Sequence, residues 1–382
     1  MLGFDLLYRR RLPTPPSERS EASSPQDLRR EGFVAINLSQ AAPLPLDNWQ
    51  EAYEAANALV LRTVTSVEAE RLTYYRDLCR GLRRFAAWQD VGGGHLPGET
   101  FERETSALLG ATQPLTGYSE LASAWAEVAK LLGVNPEQAR RLLQTPGLRP
   151  RSDAQPGNHS TAPLERAVSL WESDHRVPER EVIATLEDLL GEGRRRVESL
   201  FGPLPAERTM HAVGERSVPY SAYCDYEQGL MRVNLDQPYT MPALRHLVAH
   251  EAYPGHLTNL ALREAAVVAE SAEEDSLLVV TDTVTSPIFD GIADCALGVG
   301  WELTEDDQVE RALRRARTLA VCLAARRLSG GVNKEEVHLR LRSESLASPQ
   351  WVEQRLAFLQ LPLRRPYIFA YVWGEQAVAR SE

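Results

Sequence analysis

Apolar residues recur at intervals of three and four along most of this chain, a pattern typical of helices with one buried face. The pattern covers residues 49–88, 121–132 and 164–200, and it continues from residue 242 toward the end of the sequence. Pairs containing proline or glycine interrupt that last stretch at 254–255, 286–287, 330–331 and 361–362. We therefore expect long helices that break at these positions.

A β pattern is limited to residues 207–235. Val218, Tyr220, Tyr223 and Val233 lie among polar residues there, in short segments separated by turn formers such as Gly229. These segments predict short strands beside the helix that begins near residue 242. The predicted fold class is mainly α (α+β), with a small β-sheet next to that helix.

The chain divides into three predicted regions. Residues 1–47 are rich in proline and serine, which favours an irregular N-terminal arm. Residues 48–163 form a helical N-terminal region whose last part, 145–163, is a loop rich in proline and glycine. Residues 164–382 form the remaining region, and it contains the residues that suggest chemistry.

Composition and charge narrow the class of protein. The 382 residues include 42 basic and 53 acidic side chains, a net charge of −11 that disfavours nucleic acid and anionic membranes as partners. No apolar run approaches the roughly 18 residues of a membrane helix. Asp5 and Arg9 interrupt the place where a secretory signal would be apolar, and the four cysteines form no C-x-x-C pair. We expect a soluble cytoplasmic protein.

The stretch LRHLVAHEAYPGHLTNL, residues 244–260, suggests a metal site. A common zinc-peptidase signature places two histidines on one helix, with a glutamate between them that reaches a metal-activated water. Here His250 and Glu251 are followed by His256, which an unbroken helix would place roughly 120° away from His250. Pro254 breaks the helix, so two residues can loop out and return His256 to the metal side. A competing pair, His246 with His250, has the spacing of one helical turn.

The motif resembles the H-E-x-x-P-G-H signature of the bacterial family called domain of unknown function 885, a zincin-like group related to gluzincin peptidases. Family members carry E-G-W-A or E-G-I-A further on, where this chain has Asp290-Gly291-Ile292-Ala293, and Y-x-x-G near the end, matched by Tyr371-Val372-Trp373-Gly374. The similarity covers roughly residues 207–380. It implies a zincin-like helical fold with Zn²⁺ held by His250, His256 and Asp290.

The resemblance also assigns catalytic roles. Glu251 is the expected general base, and Tyr371 the expected donor to the oxyanion formed when a carbonyl is attacked. The chain departs from the family at Leu257, where many members have a second histidine, and at Asp290, which replaces glutamate. Other carboxylates could replace Asp290 as third ligand, namely Asp282, Glu270 and Glu264. Asp294 could accept a hydrogen bond from a ligand histidine or lie on the surface.

Two further features could contact a substrate. Residues 229–235 precede the metal helix, where zincins place an edge strand that aligns a peptide, although an ordinary hairpin explains them equally. Arg364 and Arg365 could meet a substrate carboxylate or form a solvated charge pair. The predicted function is zinc-dependent hydrolysis of peptide bonds. The alternatives are hydrolysis of a non-peptide amide and a catalytically inactive helical scaffold; the oligomeric state stays open.

Overall fold

A computed structural model describes most of the chain. The described residues are 34–37, 46–60, 66–90, 100–110, 117–137, 163–206, 208–218, 220–226, 228–272, 278–281, 283–360 and 364–379.

Helices make up most of the described chain. The first five are α1 Leu46–Val60, α2 Ser66–Asp90, α3 Phe101–Leu109, α4 Tyr118–Leu131 and α5 Pro163–Asp174. The next five are α6 Val182–Phe201, α7 Met241–Glu251, α8 His256–Val268, α9 Ser286–Cys295 and the short α10 Leu297–Gly300. The last four are α11 Glu305–Ser329, α12 Lys334–Ser345, α13 Pro349–Phe358 and α14 Arg364–Ala379. The prediction of a mainly helical protein is confirmed.

The strands are short and form small sheets. They are β1 Val34–Asn37, β2 Arg176–Val177, β3 His211–Glu215, β4 Ala222–Asp225, β5 Leu230–Asn234, β6 Tyr239–Thr240 and β7 Leu278–Thr281. In the largest sheet β5 is central, parallel to β3 and antiparallel to β4. This sheet packs beside α7, as the sequence predicted.

Local sequence signals explain where the helices around the site begin. Thr240 accepts a hydrogen bond from the backbone N–H of Ala243 at the start of α7, and Pro242 occupies the first turn, where no N–H is needed. Thr304 and Asp307 form a reciprocal capping box at the start of α11. The predicted breaks near residues 254, 286 and 330 coincide with helix boundaries, and the fourth, at 361–362, lies outside the described residues.

Two hydrophobic cores stabilise the protein. The first core unites α2–α5 with α11–α14, so that Leu121 and Leu313 belong to one cluster. The second core lies around α6, α7, α8 and the sheet of β3, β4 and β5. Helix α9 packs against both α14 and α7, and it therefore lies between the two cores.

Two expectations about organisation change with the structure. The predicted irregular arm, 1–47, lies largely outside the described residues, but Val34–Asn37 forms β1 and pairs in parallel with β7. The prediction of an irregular segment is wrong for these four residues because their partner strand lies far away in sequence. The predicted boundary after residue 163 does not separate two cores, since the first core contains residues from both sides.

Within the described part of the chain, no helix combines the length and the apolar character of a membrane span.

Candidate metal centre

The two motif histidines lie on separate helices that meet at the site. Helix α7 ends at Glu251, and α8 begins at His256, after a bend over residues 252–255. The expected loop inside one continuing helix is therefore replaced by a complete break and a new helix. Gly255 permits the close turn, because a Cβ on it would lie 1.9 Å from the carbonyl oxygen of His250.

Asp290 reaches the same place from α9. This helix crosses α14 at two facing glycines: a Cβ on Gly374 would lie 1.9 Å from the carbonyl oxygen of Pro287, and one on Gly291 would lie 2.4 Å from backbone atoms of Gly374. Only glycines allow so close a backbone approach. The contact fixes Asp290, which directly precedes Gly291, relative to the tyrosines of α14.

Three potential ligand atoms converge at the site. Oδ1 of Asp290 lies 3.8 Å from Nε2 of His250 and 3.6 Å from Nε2 of His256. All three side chains are at least four-fifths buried. Ligand atoms of a tetrahedral zinc ion bonded at ~2.0–2.1 Å are about 3.3 Å apart. The two distances from Asp290 thus exceed the zinc value by only a few tenths of an ångström, and nitrogen with carboxylate oxygen is a donor set that zinc accepts.

Asp294 accounts for the orientation of His250. Its Oδ1 accepts a 3.0 Å hydrogen bond from Nδ1 of His250 and a 2.7 Å hydrogen bond from Arg314. Because a carboxylate only accepts, Nδ1 carries the proton, and Nε2 is the nitrogen that can give up its own proton to bind a metal. Hydrogen bonds of this kind fix the tautomer of metal-binding histidines.

A second group of ligand atoms shares His250. His246 and Asp294 complete it, with 3.7 Å between Nε2 of His246 and Oδ1 of Asp294. The Arg314 guanidinium bonds to that same oxygen and would repel a cation placed there. The group of His250, His256 and Asp290 is therefore the better cation site.

Burial and neighbouring charges shift the pKa values of His246, His250 and Asp294 in different directions. Burial lowers the pKa of His246 well below its usual value, and Arg314 adds to this effect. Burial also opposes the charged form of His250, but the hydrogen bond to Asp294 prevails and raises the pKa of His250 to about 9. Burial would raise the pKa of Asp294, yet Arg314 and His250 hold it well below its usual range. Asp294 is therefore a stable anion that makes His250 more basic.

Two tyrosines of α14 face the site. Tyr367 donates a 2.6 Å hydrogen bond to Oδ2 of Asp290, which leaves Oδ1 directed toward the histidines. The ring of Tyr371 packs edge-on against that of Tyr367, with centroids 5.5 Å apart. Burial and the nearby charge of Asp290 raise the pKa of Tyr371, so its phenol remains a hydrogen-bond donor.

Glu251 is buried at the end of α7, directly after His250. Its negative charge contributes to the raised pKa values of His250 and Tyr371, although in each case another influence is larger. The structure thus brings Glu251 and Tyr371 to the same locality as the three potential ligands.

Two of the three alternative third ligands, Glu264 and Glu270, are not brought to the site. Glu264 accepts hydrogen bonds of 2.7 and 2.9 Å from Arg208 and one of 2.8 Å from Tyr226. Glu270 follows the end of α8, two residues beyond Val268, and belongs to neither potential metal group. Asp282 lies outside the described residues.

The structure decides between the two interpretations of segment 229–235. The segment 229–235 contains β5, which is paired on both sides by β3 and β4 and cannot accept a further strand. The edge-strand interpretation of this segment is therefore wrong, whereas the antiparallel pairing of β5 with β4 agrees with the hairpin alternative. Strands β3 and β4 are the outer strands of this sheet, and each has one edge that no described strand pairs with. Strand β4 packs against α7, the helix that carries His250 and Glu251.

The two arginines at the start of α14 differ in their contacts. The guanidinium of Arg364 lies over the rings of Tyr367 and Phe358, at 4.6 and 5.6 Å from their centroids. Arg365 donates a hydrogen bond of 3.0 Å to the carbonyl of Leu359. Neither arginine is a simple solvated charge.

Sequence reasoning missed two residues that hold the ligands. Tyr367 lies one helical turn before Tyr371, so the period of α14 could have indicated that both share a face. Arg314 has no such signal, because α11 reaches Asp294 only through the tertiary fold.

Comparison with known proteins assigns no family. No protein-family model matches the chain, and none of the curated proteins matches it. One similar solved structure is that of "a putative lipoprotein of unknown function" from Shewanella oneidensis: 14% identity, TM-score 0.44, 89% of this chain and 67% of that one. Another is a protein from Colwellia psychrerythraea with a similar description: 12% identity, TM-score 0.48, 93% of this chain and 62% of that one.

This chain thus spans less than two thirds of the second of those proteins, and likeness at this level supports no statement about function. The resemblance to domain of unknown function 885 stays a prediction. Both matched proteins are described as lipoproteins, a description at odds with the predicted cytoplasmic location, and that prediction is not carried further. That prediction depended on the first residues of the sequence and on cysteine spacing, and neither determines where a protein resides.

Proposed function

We propose that this protein is a zinc-dependent hydrolase of peptide bonds. The observation that carries the proposal is the convergence of Nε2 of His250, Nε2 of His256 and Oδ1 of Asp290, with Glu251 at the end of the same helix as His250. Two imidazoles and one carboxylate form the ligand set of many catalytic zinc sites, in which a fourth position stays open for water or substrate.

The residues of the chain have distinct roles in this proposal. Zinc, when bound, supplies a Lewis acid that polarises the scissile carbonyl and acidifies water. Glu251 accepts the proton of the attacking water and delivers it to the leaving amine. Tyr371 donates a hydrogen bond to the oxygen on which negative charge develops. Asp294 and Tyr367 hold His250 and Asp290 in the orientation that ligation requires.

The test combines metal analysis with a digest of a peptide library. We expect about one zinc per chain, and cleavage of peptides by the zinc-loaded protein. Absence of bound zinc would contradict both zinc-dependent functions, the peptidase and the non-peptide amidase. Cleavage of small amides without cleavage of peptides would favour the non-peptide amidase, and zinc without any turnover would favour the inactive scaffold.

Glu251→Gln provides the sharpest single variant. The amide keeps the size of the side chain but cannot accept a proton, so we expect full zinc occupancy with activity reduced by about a thousandfold or more. Glu336→Gln, at an exposed position on α12, serves as the matched control and should retain full activity. Retained hydrolysis in Glu251→Gln would assign the base to another residue.

A further inference from the structure

Arg355, on α13, carries a charge that the proposed chemistry does not use. Its guanidinium donates a hydrogen bond to the hydroxyl of Ser221 and lies over the ring of Trp351, 5.3 Å from the centroid. The residue is half-buried, and burial lowers the pKa of Arg355.

No carboxylate among the described residues forms an ion pair with Arg355. Other arginines near the site have such partners: Arg314 bonds to Asp294 at 2.7 Å, and Arg317 to Glu172 at 2.7 Å. The positive charge of Arg317 lies close enough to lower the pKa of Arg355 further, while burial remains the larger cause. A half-buried guanidinium with no anionic partner among the described residues has lost part of its hydration without compensation, which is unexpected in a chain with a net charge of −11.

The position of Arg355 relates it to the proposed active site. Helix α13 belongs to the first core, and Tyr371 of α14 packs against that same core. Ser221, the hydrogen-bond partner of Arg355, directly precedes β4, which packs against α7 of the second core. Arg355 therefore reaches from the first core to the second, across the same boundary at which Asp290 of α9 meets the two histidines.

We propose that Arg355 binds a carboxylate group of the substrate, so that the favoured peptides carry a negative charge close to the scissile bond. This substrate class rests on the proposed peptidase function. The carboxylate can be the C-terminus of the peptide or the side chain of an acidic residue. Either one would complete the charge pairing that the described part of the chain leaves unfilled.

The chemistry of the side chain suits this role. A guanidinium presents five N–H donors in a planar fork that matches a carboxylate with two parallel hydrogen bonds. Ser221 engages one of the terminal nitrogens, and the face of Trp351 supports the plane of the group by a cation–π contact. A site held in this way loses little side-chain entropy when an anion binds.

The experiment measures binding and cleavage separately. Zinc-loaded Glu251→Gln protein, which retains the site without turnover, is titrated calorimetrically with N-acetylated tetraalanine as the free acid and as the C-terminal amide. A second pair of peptides, both amidated, carries an internal aspartate or an internal asparagine. We expect one acidic member to bind about 10- to 100-fold more tightly than its neutral counterpart, and the pair that differs identifies the source of the carboxylate.

Replacement of the arginine should abolish that difference. We expect Arg355→Gln, combined with Glu251→Gln, to bind the acidic and neutral peptides equally, and Arg355→Lys to restore only part of the preference because a point charge lacks the fork. Arg340→Gln, at an exposed position on α12, is the matched control and should keep the full preference. Zinc content and thermal unfolding of each variant show whether it has folded.

The outcomes separate this inference from the proposed function. Equal binding of acidic and neutral peptides by the protein that retains Arg355, or no binding of any of them, overturns the carboxylate site. Peptide cleavage by the unmodified protein without an acidic preference leaves the peptidase in place and removes the inference. A preference that depends on Arg355, found in a protein that cleaves no peptide, supports the carboxylate site and contradicts the peptidase.

Discussion

At the scale of single residues, the buried carboxylate of Asp294 matters as much for a metal as the atoms that would touch it. It fixes the proton of His250 on Nδ1, and the guanidinium of Arg314 keeps it ionised. Asp294→Asn preserves a hydrogen-bond acceptor but removes the negative charge. We expect zinc affinity to fall about 10- to 100-fold, as measured by competition with a chromogenic chelator.

Asp306→Asn is the matched control for this variant. Asp306 also pairs with a histidine, since its Oδ1 lies 3.1 Å from Nε2 of His175, but that pair belongs to neither potential metal group. The zinc affinity of Asp306→Asn should therefore equal that of the unmodified protein. Unchanged affinity in Asp294→Asn would mean that the negative charge of Asp294 does not strengthen His250 as a metal ligand.

The two tyrosines of α14 make a second residue-scale prediction possible. Tyr367 donates to Asp290, whereas Tyr371 is the proposed donor to the substrate. We expect Tyr367→Phe to weaken zinc binding by about tenfold, because Asp290 loses the contact that orients it. Tyr371→Phe should keep the zinc affinity but lower kcat by about a hundredfold.

Each variant serves as the control for the other, and metal titration combined with steady-state kinetics distinguishes them. If Tyr371→Phe loses zinc while Tyr367→Phe keeps it, the two roles are exchanged.

The sequence predicts those site residues that lie close together along the chain better than those that only the fold brings together. His250, Glu251 and His256 lie within one motif, so their types and spacing already indicate a metal site. Asp290 followed only from resemblance to a family, because nothing local joins α9 to that motif. Arg314 could not be predicted, since its contact with Asp294 depends on how α11 packs.

At the scale of secondary-structure elements, glycines decide how the site is assembled. The proline and glycine of the motif predicted an interruption, but not that α7 would end and α8 begin at the second histidine. The close approach of Gly255 to the carbonyl of His250 explains this outcome, because a larger residue could not turn the chain so sharply. Gly291 and Gly374 act similarly where α9 crosses α14.

This crossing yields an element-scale prediction. A methyl group on Gly374 would meet the backbone of α9, which cannot move aside as a flexible side chain can, so Gly374→Ala must separate the two helices. We expect the free energy of unfolding to fall by about 3 kcal/mol or more, measured by urea denaturation, and zinc affinity to fall with it as Asp290 moves.

Gly298→Ala, in the neighbouring helix α10, is the control for the crossing. A Cβ at that position would find its nearest atom 3.8 Å away, which is ordinary contact. Alanine also favours the helix by about 1 kcal/mol relative to glycine, so this variant should be as stable as the unmodified protein or slightly more so. If Gly374→Ala were as stable as Gly298→Ala, α9 and α14 would tolerate a wider separation at their crossing.

At the scale of the whole molecule, the periodic pattern predicts helices but not their partners. Leu121 and Leu313 show the same helical periodicity as their neighbours, yet only the structure shows that they share the first core. The predicted boundary after residue 163 followed from a loop rich in proline and glycine, and such a loop can equally join two parts of one core. Strand β1 was missed for a similar reason, since its pairing with β7 is entirely non-local.

The potential ligands come from elements that belong to different cores, and this yields the last prediction. His250 and His256 lie on helices of the second core, while Asp290 lies on α9, which packs against α14 of the first core. A metal bound by all three would therefore link the two cores. Because zinc binds the folded site, it should raise the free energy of unfolding by about 4 kcal/mol at a concentration a thousand times the Kd.

Hydrogen exchange can show where that stabilisation acts. We expect zinc to slow exchange in α7 and α8 and also in α14, because α14 holds α9 through the glycine crossing. His256→Ala removes one ligand while leaving Asp290 and its contacts with α14 in place, so zinc should no longer stabilise either core in this variant. Protection confined to α7 and α8 in the unmodified protein would mean that Asp290 does not bind the metal, and that the ion is held by the second core alone.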